Sequence, residues 1–86
     1  MPELSRFYGI VIKMYFDDHD PSHFHAEYAE EEAVIRIETL GVIAGRLRPR
    51  ALGLVAERAA LHQEDLRRAW TKAKNLEPTE KIAPLP

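Results

Sequence analysis

Residues 7–28 read FYGIVIKMYFDDHDPSHFHAEY, and this stretch decides the fold. Its first ten residues, Phe7 to Phe16, are β-branched and aromatic, the composition of a strand. On a period of two, Tyr8, Ile10, Ile12, Met14 and Phe16 share one face, and Phe7, Gly9, Val11, Lys13 and Tyr15 the other. The first set is the expected core face, because the second holds a glycine and a lysine. Asp17 to Ser22 is loop chemistry: Asp and Ser bond their own backbone, and Pro21 fixes φ and removes a donor. His23 to Tyr28 then alternates cleanly, with His23, His25 and Glu27 against Phe24, Ala26 and Tyr28. The loop between the two runs is too short for a parallel crossover, so the strands pair antiparallel.

The chain downstream extends the same pattern. Ala29–Glu32 reads as a charged turn, and Ala33–Glu38 as a third strand with Ile35 and Ile37 opposite Val34, Arg36 and Glu38. Leu40-Gly41 marks a turn, and Val42–Leu47 a short fourth strand loosened by Gly45. Pro49 suits the first turn of a helix. From there Leu52, Val55, Ala59, His62, Leu66, Ala69, Ala73 and Leu76 keep an unbroken 3–4 spacing, which predicts one helix over 49–75, weakest at His62–Asp65. Residues 76–86 alternate prolines with Ile82 and Leu85, an extended tail. The expected fold is a single α+β domain: an antiparallel meander of three or four strands (7–47) packed on one long C-terminal helix.

That helix length carries a consequence. About 26 residues span roughly 39 Å, whereas a domain of this size is about 30 Å across. The overhang would expose Leu66, Ala69, Trp70 and Ala73, an apolar stripe that a second copy of the chain would cover. A homo-oligomer is therefore expected, with these four residues at its interface.

Composition narrows the function classes. The chain has 86 residues and no cysteine, which excludes disulfides and thiolate sites. No apolar run approaches the roughly 20 residues of a membrane helix, and no signal peptide opens the chain, so the cytoplasm is the expected compartment. Lys+Arg number 12 against 14 Asp+Glu, but the near balance hides a division. Residues 1–43 carry three bases and nine acids; residues 44–86 carry nine bases and five acids. A basic half of this kind suits an anionic partner, either nucleic acid or an acidic protein. No Gly-rich phosphate loop, nucleophile elbow, zinc ribbon or helix-turn-helix signature is present, and no cofactor is expected.

Two groups of residues could carry chemistry. The first gathers His23, His25 and Glu27 with Lys13 and Tyr15 from the preceding strand, joined by Arg36 and Glu38. Three readings of this patch stand side by side. His-x-His with a carboxylate is a metal-ligand geometry, for which His19, His23 and His25 are the candidates. Alternatively, two histidines serve as acid and base in metal-free RNA cleavage, with Glu27, Tyr15 and Lys13 in support. The third reading is a solvated sheet face with cross-strand ion pairs such as Lys13–Glu27 or Arg36–Glu27. The second group is basic. Arg46, Arg48 and Arg50 recur at every second residue, with Arg58, Arg67, Arg68, Lys72 and Lys74 behind them. Together with Arg36, the first three are the candidate nucleic-acid contacts.

The runs SRFYGIVIKMYF from Ser5, DHDPSHFHAEY from Asp18, and the PRAL…LH…L…W series from Pro49 resemble the bacterial family called domain of unknown function 4160. The resemblance covers nearly the whole chain, and His19, His23, His25, Glu27 and Tyr28 match its signature stretch. It implies a small protein often encoded beside a member of the domain-of-unknown-function 2442 family, hence a two-gene, toxin–antitoxin-like module with a small partner protein. It carries over no catalytic residue. The expected function is one component of such a module, acting on or binding RNA or DNA. The alternatives are a non-enzymatic protein-interaction module or a histidine-based metal-binding domain.

Overall fold

A computed structural model describes residues 3–15 and 21–75. His19, the aspartates around it and the tail from Leu76 lie outside the described residues. The sheet has five strands in the order of the chain: β1 (Glu3–Phe7), β2 (Ile10–Lys13), β3 (His23–Tyr28), β4 (Glu31–Arg36) and β5 (Val42–Gly45). Every neighbouring pair is antiparallel. Two helices follow, α1 (Pro49–Leu61) and α2 (Gln63–Lys74).

The strand expected over Phe7–Phe16 is instead a hairpin. Tyr8 and Gly9 form a two-residue turn with φ of 49° and 78°, and Phe7 pairs with Ile10 across it. Positive φ at both turn positions matches the right-handed twist of the flanking strands. Glycine takes it freely, whereas for tyrosine it stores about 1 kcal/mol of strain. The hairpin also reverses two face assignments. Phe7, paired with Ile10, turns into the core, and Tyr8 sits at the turn tip, 63% exposed. Ile10, Ile12 and Met14 are buried as the alternation requires. The turn before β4 shrinks to Ala29-Glu30, so β4 starts two residues earlier than the sequence suggests. β5 ends at Gly45 (φ 72°), where a Cβ would lie 2.2 Å from the Glu32 carbonyl oxygen.

The single long helix is also corrected. His62, with φ −117° and ψ 24°, ends α1 and starts α2. Its N–H is shared between the carbonyls of Arg58 and Ala59, and its Nδ1–H donates to Asp65 Oδ2 at 3.2 Å. Gln63 then anchors the new helix, donating from Nε2 to the Ile37 carbonyl at 2.7 Å. Arg67 grips Glu38 through two bonds of 2.9 and 3.0 Å. The break brings α2 back onto the chain, which measures 33 × 27 × 22 Å. No 39 Å overhang exists. Leu66, Ala69, Trp70 and Ala73, expected at an oligomer interface, are buried in the chain's own core with Phe24, Ile35 and Val55. The overhang argument for a homo-oligomer falls with them. No described helix is long and apolar enough to cross a membrane.

Candidate functional sites

The β2–β3–β4 register assembles the histidine patch. Lys13 lies opposite His25, and His23 opposite Arg36. Phe24 and Ala26 are fully buried, so the alternating His23, His25 and Glu27 stand on the opposite strand face. Four rings form a row there. Tyr15 and His25 meet edge-to-face with centroids 4.6 Å apart, His25 and His23 at 5.4 Å, and His23 and Trp70 at 5.1 Å. Each histidine is oriented through Nδ1. His23 donates to the Pro21 carbonyl at 2.7 Å, so the loop proline positions the ring. His25 donates to Glu32 Oε2 at 3.1 Å, diagonally across the β3–β4 pair.

The expected Lys13–Glu27 ion pair is present at 3.0 Å. The Glu27 carboxylate raises the Lys13 ammonium above its ordinary value, chiefly by hydrogen bonding. Glu38 does not join this patch, because Arg67 holds its carboxylate and lowers its pKa. Glu32 takes a place that the sequence reading assigned to no one. Its signal was the alternation Glu32, Val34, Arg36, hidden when Glu32 was counted as turn. Among the described residues no group of three histidine, aspartate or glutamate side chains is placed to hold a metal ion.

The arginines lie elsewhere. Tyr28 is on the Phe24 side of β3 and at its far end, about 16 Å along the strand from His23. Around Tyr28 the structure collects Arg48, whose guanidinium sits 4.9 Å from the ring centroid. Glu31 fixes Arg48, accepting its backbone N–H at 2.7 Å and its Nε at 3.2 Å. These bonds hold the Glu31 carboxyl below the usual carboxylate range. Arg46 approaches the same carboxylate at 3.8 Å. Arg50 is exposed in the first turn of α1, which carries no acidic residue. Arg58, buried, stands over Phe7 and Tyr8 at 5.5 and 5.4 Å. A cleft of about 790 Å³ opens between Tyr8, Tyr28 and these arginines.

The structure thus divides the four arginines expected to contact nucleic acid together. Arg36 shares the histidine patch, whereas Arg46, Arg48 and Arg50 belong to the other end of the sheet. The helix cations do not form a continuous stripe either: Arg67 pairs with Glu38 and Glu64, and Arg68 with Asp65. Tyr8 is a cleft residue that the sequence reading does not assign, because the Tyr8-Gly9 turn that presents it reads as strand.

Residues 9–71 match the family described as Domain of unknown function (DUF4160). The chain belongs to the DUF4160 family. No curated protein and no solved structure matches it. The DUF4160 match spans β2 through most of α2, so both the ring row and the cleft draw most of their residues from the family region.

Proposed function

We propose that this DUF4160 protein acts on RNA as one component of a two-gene, toxin–antitoxin-like module, with His23 and His25 as an acid–base pair. The observation supporting this reading is common to the two rings. Each donates Nδ1–H to a fixed oxygen, which sets the orientation of its ring beside the other. Centroids 5.4 Å apart let the two rings serve opposite oxygens of one phosphodiester. One neutral imidazole takes the proton of a ribose 2′-hydroxyl as the 2′-oxygen bonds to phosphorus. The other, as imidazolium, gives its proton to the 5′-oxygen as the P–O5′ bond breaks. Arg36 and Lys13, each directly across a strand from a histidine, serve in this reading as the cations that offset charge on the transferring phosphate.

The test is cleavage of a single-stranded RNA by the full chain, with a DNA of the same sequence as the control lacking the 2′-hydroxyl. His23→Ala and His25→Ala should each lower the rate by about 10²-fold or more, and the native profile should be bell-shaped in pH. Cleavage that survives both substitutions rejects the acid–base role.

A second reading, a non-enzymatic module that binds its genomic neighbour's product, is favoured by the edge strands. β1 carries the charged pair Arg6–Glu3, whereas β5 presents exposed Val42 and Ile43 and no charge. An uncharged apolar edge can accept a strand from another chain. Co-purification with the neighbouring gene product, without nuclease activity, supports this second reading against the first.

A further inference from the structure

We infer that the cleft between the Tyr8-Gly9 turn and the start of α1 binds a phosphorylated nucleoside, with the phosphate at the arginines and the base against Tyr8. This site lies at the far end of β3 from the histidine row and does not depend on RNA cleavage there.

Three observations converge on it. The first is charge. Arg48, Arg50 and Arg58 line the cleft against the single carboxylate of Glu57. Glu31 takes part of Arg48, but Arg50 enters none of the ion pairs among the described residues and sits on the exposed rim. Guanidinium groups bind phosphate oxygens through paired N–H donors, so a phosphate monoester completes this set. The second is the aromatic ring. Tyr8 holds a left-handed backbone conformation that tyrosine seldom adopts, and the residue is 63% exposed at the mouth of the cleft. Arg58 backs that ring at 5.4 Å. A cation-backed aromatic surface is a stacking platform for any base, since every base has a π-face. The third is size. About 790 Å³ falls within the range of small-molecule sites. An acidic peptide would satisfy the arginines but leave the Tyr8 ring without a planar partner.

Two sources supply this chemistry: a free 5′-mononucleotide and the 5′-phosphorylated end of a strand. The experiment titrates the full, isotope-labelled chain with adenosine 5′-monophosphate, adenosine, and a tetra-adenylate with or without its 5′-phosphate. Amide shifts and calorimetry are the readouts. Adenosine 5′-monophosphate should move Tyr8, Gly9, Arg50 and Ala51 while leaving His23 and His25 in place. Adenosine should bind at least about tenfold more weakly. Arg50→Ala should weaken the nucleotide about tenfold, as should Tyr8→Asn, which keeps a residue tolerant of positive φ. Tighter binding of the 5′-phosphorylated tetramer than of the mononucleotide assigns the site to strand ends; the reverse assigns it to free nucleotides. The inference is overturned if the cleft amides do not move, if adenosine binds as well as its phosphate, if both variants bind normally, or if an acidic peptide takes the cleft and the nucleotide does not. Loss of RNA cleavage with normal nucleotide binding removes only the histidine reading, and the converse removes only this one.

Discussion

The carboxylate of Glu31 ties the sheet to the helical layer through Arg48, accepting both its backbone N–H at 2.7 Å and its guanidinium Nε at 3.2 Å. Glu31 opens β4, and Arg48 immediately precedes α1, so one side chain sets the angle at which the chain leaves the sheet. It also stands in for a helix cap, since Arg48 makes no capping bond of its own.

This relationship fixes a pH dependence. Arg48 lowers the folded-state pKa of Glu31 below its ordinary 4.5, first through the backbone N–H and then through the guanidinium. A lowered carboxyl pKa contributes stability that is fully present above about 4.5 and disappears as pH falls through the folded-state value. Glu31→Gln should therefore lower the urea midpoint most between pH 6 and 7, and the gap from the native chain should close toward pH 3. A gap of constant size across that range would show that Glu31 acts through packing, not charge.

Two glycines should respond in opposite directions to the same substitution. A Cβ on Gly45 would sit 2.2 Å from the Glu32 carbonyl oxygen, at a φ of 72°. The obstacle is backbone and cannot swing aside, so Gly45→Ala should cost about 2 kcal/mol or more. Gly53 lies within α1 with nothing within 4 Å of its would-be Cβ. Gly53→Ala should stabilise by about 0.5–1 kcal/mol, because alanine is the better helix former. Chemical denaturation of the two variants decides both signs.

Much of this architecture was legible in the sequence, and the misreadings share a cause. The alternation in HFHAEY placed His23 and His25 on one face and Phe24 and Ala26 in the core, because period-two patterning acts over a few residues and buried hydrophobes enforce it. The Tyr8-Gly9 turn was hidden inside an apolar run, since positive φ at a tyrosine leaves no mark on hydrophobic pattern. The break at His62 was hidden in the same way: α2 keeps the phase of α1, so the spacing from Val55 to Ala73 reads as one helix. What turns the chain is a set of polar contacts, Gln63 to Ile37 and Arg67 to Glu38, whose partners lie more than 25 positions away. The separation of Arg36 from Arg46, Arg48 and Arg50 follows from that same three-dimensional register. No linear spacing encodes it.

The two leucines on either side of the break test its position. Leu66 is buried at 3% exposure, whereas Leu61 is 65% exposed. Leu66→Ala should cost about 2–5 kcal/mol, the range for emptying a packed core site, and Leu61→Ala should stay within about 0.5 kcal/mol. A straight helix overhanging the sheet would instead leave Leu66 at the surface of a monomer. The measurement is the pair of unfolding free energies at a protein concentration low enough to keep the chain monomeric, and comparable losses in the two variants would contradict the break.

The contact between Trp70 and His23 gives the histidine row an optical reporter. Trp70 is the only tryptophan in the chain, so its emission needs no deconvolution. Its ring centroid lies 5.1 Å from that of His23, and the residue is buried, so its emission reports on that contact. Removing the His23 ring takes away the imidazole against which the indole packs, and with it part of the surroundings that set its emission. The emission of His23→Ala should therefore differ in wavelength from that of the native chain. His25→Ala should shift it less, because His25 stands one ring further along the row, 5.4 Å from His23. If emission is unchanged in His23→Ala, Trp70 does not sense the row, and α2 does not close it as described.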